Sequence, residues 1–156
     1  MVKHRRKPPM PALYHYASEE EIARIGEKFL DLTLPKAEWT HGAHWAAAFW
    51  LITQRPDINP ERDMPDLIRR YNEATGGMNT DTDGYHETIT QASLIVARAF
   101  LAAQRDTPPL HELCNRLFAS KFGASDWLFE YWTKATLFSV QARKEWVDPD
   151  IRPLSI

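Results

Sequence analysis

Five residues in two short stretches carry side chains suited to chemistry: Glu38, His41 and His44 in the first, His86 and Glu87 in the second. Glu38 and His41 stand three apart, as do His41 and His44, and on a helix that spacing sets side chains next to one another on one face. Glu38-Trp39-Thr40-His41 thus fits Glu-x-x-His, the pattern with which carboxylate-bridged di-metal bundles hold their ions. Neutral imidazole nitrogen and carboxylate oxygen on rigid, converging elements are what such a metal needs. The chain has no second Glu-x-x-His, which argues against a di-metal centre. The expectation that survives is one divalent ion, zinc, iron or manganese, held by His41 and His86 with Glu38 or His44 completing the set. Glu87 is then the candidate general acid or base, because a carboxylate near bound water can shuttle its proton. Trp45, Tyr85 and Thr90 flank the histidines and are candidate walls of a ligand pocket.

A plainer reading stands beside this one. A histidine on an apolar helix face is more often a hydrogen-bonded core residue than a ligand, since a buried polar group needs a partner. Trp39, Trp45 and Trp50 at helical spacing more often fill a core than line a site. The loop Asn79-Thr80-Asp81-Thr82-Asp83-Gly84 matches the first half of a calcium-loop pattern, but Thr90 stands where a bidentate glutamate is required. Asp81, Thr82 and Asp83 read better as capping residues for the helix that follows.

The elements that must position these groups are helices. Apolar residues recur at steps of three and four, and sustained alternation is almost absent. Ser18-Glu19-Glu20-Glu21 is a capping box, followed by an apolar face of Ile22, Ile25, Phe29 and Leu32. Thr33-Leu34-Pro35 predicts the start of a second helix that runs to about Gln54, apolar nearly all round and therefore central. A third helix starts at Asn59-Pro60 or at Asp63-Met64-Pro65 and ends at Gly76-Gly77. The fourth spans about Tyr85 to Gln104, with His86, Ile89, Ser93, Val96 and Phe100 on one stripe. A fifth follows Thr107-Pro108, Ser125 caps a sixth, and a short turn follows Ser139. Asp148-Pro149-Asp150-Ile151-Arg152-Pro153 predicts an extended strap. The fold class is therefore all-α, a compact antiparallel bundle of five to six helices over residues 17–156 behind a basic, proline-containing tail over residues 1–16.

The chain has 156 residues, one domain's worth. Lys3, Arg5, Arg6 and Lys7 concentrate positive charge at the start, and the remainder holds 15 bases against 21 acids. So acidic a body is unsuited to nucleic acid, whose binding rests on phosphate neutralisation. The most apolar run, Ala46 to Ile52, is far shorter than the ~20 residues a membrane span needs, and no secretory signal is evident. One cysteine, Cys114, excludes an internal disulfide framework and fits a reducing compartment, so a cytoplasmic protein is expected.

Three stretches together carry a resemblance. They are Glu38 through His44, then Asn79-Thr80 leading to Gly84-Tyr85-His86-Glu87-Thr88-Ile89-Thr90, and last Leu137-Phe138-Ser139 through Ala142-Arg143 to Val147-Asp148-Pro149-Asp150. The combination resembles a group of small, uncharacterised bacterial helical proteins across about residues 20 to 154. That resemblance implies no activity, ligand or site. Two functions remain open from the sequence: a metal or small-ligand site between the second and fourth helices, as in a small metal-dependent enzyme, or a non-enzymatic binding or assembly module whose histidines are structural. An unidentified small molecule and a second copy of the chain are the partners either reading allows.

Overall fold

The computed structural model describes residues 15–156, so most of the basic tail lies outside the described residues. Helix α1 covers Glu19–Leu30. The Ser18 hydroxyl accepts from the Glu21 amide as the sequence predicts, and the Glu21 carboxylate reaches back one residue beyond the cap, accepting from the Ala17 amide. The face of Ile22, Ile25 and Phe29 is buried against the central helix. Gly26 sets how closely the two helices approach, since a Cβ there would lie 2.2 Å from Cε3 of Trp50.

The second element departs from expectation. The stretch from Thr33 holds a 3-10 turn over Lys36–Glu38, and helix α2 begins only at His41 and ends at Gln54. The reason is Thr40. Its hydroxyl accepts from the Ala43 amide at 3.1 Å while its ψ of 173° breaks the helical path. A threonine that caps the following turn competes with helix continuation. Helix α2 is buried almost all round, from Gly42 and Ala43 through Trp45 to Leu51, and packs against α1, α3, α4 and α5.

Helix α3, Pro60–Ala74, starts at the earlier of the two predicted points, with the Asn59 side chain accepting from the Arg62 amide. Pro65 sits inside it. A proline there cannot donate to the carbonyl four residues back, that of Glu61. The Gln91 side chain, from the neighbouring helix, donates to that carbonyl at 3.0 Å. Helix α4 covers Glu87–Ala102 and α5 covers Leu110–Phe118. A 3-10 turn at Lys121–Gly123 follows α5; where a sixth helix was expected from Ser125 the chain forms a second 3-10 turn at Trp127–Glu130 and the short helix α6 (Lys134–Leu137), and the turn expected after Ser139 is helix α7 (Val140–Lys144). The C-terminal strap explains the break: the Ile151 amide donates to the Tyr131 carbonyl, which a continuing helix would have used. The strap is held further by the Trp132 indole on the Val147 carbonyl and by Asp150, which accepts from Thr133 and Thr136. The architecture is all-α, with no strand among the described residues. No helix among them is long and apolar enough to cross a membrane.

Candidate functional site

Helices α2, α3 and α4 do not close completely on one another. They leave an inner cavity of about 350 Å³ beside an outer cleft of about 670 Å³. Four residues line both: His44, Ile68, Ile89 and Thr90. The inner cavity continues along Trp45 and Ala48 of α2, Met64 of α3, Ser93 and Leu94 of α4, and the turn that holds Trp127. The outer cleft is bounded by Trp39, by the end of α3 and by the loop from Met78 to Tyr85. Gly84 shapes that loop: its φ is +84°, and a Cβ there would lie 2.2 Å from the Met78 carbonyl oxygen.

His44 stands in the partition between the two spaces. Its Nδ1 is 2.7 Å from the Thr40 carbonyl, the backbone of the capping residue, and its ring lies 4.0 Å from the Trp39 ring. A carbonyl only accepts, so Nδ1 carries the proton, and in the neutral ring Nε2 is left with a lone pair. The surrounding protein pushes the His44 pKa down by desolvation, and the Thr40 carbonyl opposes the push. The side chain is open to the cavities. Trp39 is itself fixed, stacked on Phe29 at 4.7 Å between ring centres.

His41 begins α2 and lines the inner cavity only. Its Nε2 lies 3.1 Å from the Phe122 carbonyl and 3.3 Å from the indole nitrogen of Trp45. One nitrogen cannot donate to the first and accept from the second at once, and a neutral ring serves either partner. Desolvation lowers its pKa, against the Phe122 carbonyl.

His86 is buried and serves the fold. It is the N-cap of α4: Nδ1 accepts from the Ile89 amide at 3.1 Å, and Nε2 donates to the Leu137 carbonyl at 2.7 Å. Both ring nitrogens are thereby committed. Desolvation lowers its pKa, with the Leu137 carbonyl acting the other way and the nearby Arg143 charge lowering it further. Capping by His86 also shifts the start of α4 past Tyr85, and it takes the position for which Asp81, Thr82 and Asp83 were expected to compete.

The remaining expected residues divide as follows. Trp45 lines the inner cavity, Tyr85 the outer cleft and Thr90 both. The Tyr85 hydroxyl donates to the Glu87 carboxylate at 2.5 Å, and burial pushes its pKa up. Glu87 lines neither space. Glu38 lies in the 3-10 turn ahead of the Thr40 cap, paired with Arg24 at 2.5 Å, so Glu38 and His41 do not share a helical face as the spacing predicts. Among the described residues, no three His, Cys, Asp or Glu side chains stand together so as to hold a metal ion. The expected ligand set of His41, His86, Glu38 and His44 is thus divided: His41 and His44 share the inner wall, His86 faces only the outer cleft, and Glu38 is elsewhere. Cys114 is buried, its pKa pushed up to about 12 by desolvation, as an inert core thiol would be.

Sequence reasoning missed Met64, Ile68, Ser93 and Trp127 as cavity walls. Only Ser93, a hydroxyl on the apolar stripe of the fourth helix, gave a signal of its own. No family model, curated protein or solved structure matches the chain.

Proposed function

We propose that the chain is a small-molecule binding protein whose site is the inner cavity between α2, α3 and α4. The observation that carries this reading is an apolar-walled space of about 350 Å³ bordered by an imidazole that keeps a nitrogen for a ligand. Ligand sites are typically pockets of roughly 300–1,000 Å³ with mostly apolar walls and a few placed polar groups. The placement of Glu87 outside the cavity favours binding over acid-base catalysis. The acidic body favours a small molecule over nucleic acid, and the single buried thiol suits a reducing compartment such as the cytoplasm.

Toluene serves as a probe of the cavity alone. Titrated into the full chain, it is expected to shift the indole N–H resonances of Trp45 and Trp127 saturably. The variant Ala48→Leu, which fills the cavity from α2, is expected to abolish the shift. Indole resonances that never move up to the solubility of toluene would contradict the proposal.

A further inference from the structure

We infer that the inner cavity takes an uncharged molecule with a ring-sized apolar body and a hydroxyl or N–H group that donates to Nε2 of His44. The inference rests on the binding reading above and names the ligand class for that site.

The charge of the wall comes first. No Asp, Glu, Lys or Arg lines the inner cavity. An ionised ligand would leave its water there and meet no counter-charge, which is strongly unfavourable. The two imidazoles do not supply one, because desolvation favours the neutral form of both.

The direction of the hydrogen bonds comes second. His44 spends its N–H on the Thr40 carbonyl and keeps an acceptor. The Ser93 hydroxyl donates to the Ile89 carbonyl at 2.8 Å and keeps only acceptor capacity. The Tyr85 hydroxyl, on the outer-cleft side, spends its own proton in a hydrogen bond to the Glu87 carboxylate. Thr90, which lines the cavity from the same helix as Ser93, adds a hydroxyl whose oxygen can accept. Ser125 is the remaining hydroxyl among the lining residues. The free nitrogen of His44 on α2 and the acceptor-only hydroxyl of Ser93 on α4 select a ligand that donates.

Shape comes third. The rings of Trp45 and Trp127, 6.1 Å apart between centres, form an aromatic wall. An apolar cavity of ~150 Å³ suffices for benzene. The space here, about 350 Å³, accommodates a substituted ring.

The test is calorimetric titration of the full chain at pH 7.5 with p-cresol, toluene and benzoate, in the native protein and in His44→Phe and Thr90→Val. His44→Phe keeps a ring against Trp39 and removes the acceptor; Thr90→Val keeps volume and removes the hydroxyl. The expected result is that p-cresol binds about tenfold more tightly than toluene, the ratio one net hydrogen bond gives, and that benzoate does not bind. His44→Phe is expected to weaken p-cresol about tenfold and toluene less than twofold, with Thr90→Val giving a smaller loss in the same sense. If neither p-cresol nor toluene binds, the binding reading itself fails. If toluene binds but p-cresol gains nothing over it, or benzoate binds as well as p-cresol, the cavity stands and the ligand class is overturned. If p-cresol is indifferent to both substitutions, the assignment of the acceptors is overturned.

Discussion

His86 and His44 are neutral imidazoles on the walls of the same outer cleft, and their surroundings give them opposite tasks. His86 is 6% exposed, caps α4 with one nitrogen and ties that helix to α6 with the other. His44 is open to two cavities and uses one nitrogen on the backbone of its own helix start. Residue type and helical spacing alone do not separate them. What separates them is where the second nitrogen goes, and that is decided by a carbonyl 51 residues away from His86 in the chain.

The largest expected effect is on the structural member. His86→Ala strands the Ile89 amide and the Leu137 carbonyl together, and each unpaired buried group costs about 1–3 kcal/mol. Denaturant unfolding should show a loss of about 3 kcal/mol, whereas His44→Ala should cost under about 1 kcal/mol, as at an exposed position. Equal losses would break the comparison. His86→Asn sharpens it, because asparagine is itself a strong N-cap and loses only the reach to Leu137. Its cost should be about 1–2 kcal/mol, one hydrogen bond and one stranded carbonyl.

A pH series gives a smaller effect. His41, His44 and His86 all have folded pKa values lowered below the ordinary value of 6.5. Between that value and the folded ones, the unfolded chain binds the protons first, so stability is full above about pH 6.5 and falls as the pH drops below it. Urea midpoints at pH 7.5 and 5.5 should show this fall, and the fall should be shallower in His86→Asn. A stability that rises toward pH 5.5 would mean that these rings gain rather than lose protons on folding.

Much of the fold was legible because it depends on local signals. Ser18 to Glu21 and Asn59-Pro60 each state a helix boundary within a few residues. The errors arose where a distant group overrode the local pattern. The Tyr131 carbonyl goes to the strap, so the expected sixth helix breaks into turns, and no short window around Trp127 contains Ile151. The neighbourhood of the site was also legible: α2 does meet α4, and His41, His44, Trp45 and Thr90 border one cavity. Glu-x-x-His was misleading because Thr40, inside the motif, is a better helix cap than helix interior. The roles of the histidines were hidden for the same reason as the strap, since hydrogen bonds to backbone carbonyls leave no mark on composition or periodicity.

The account depends most on the protonation of His44, and nitrogen-15 spectra of the imidazole rings at pH 7 read it directly. The expected result is a neutral His44 with its proton on Nδ1 and a bare Nε2 whose resonance moves when p-cresol is added, beside a neutral His86 protonated on Nε2 that does not move. A His44 that is charged at pH 7, or that carries its proton on Nε2, would contradict the account.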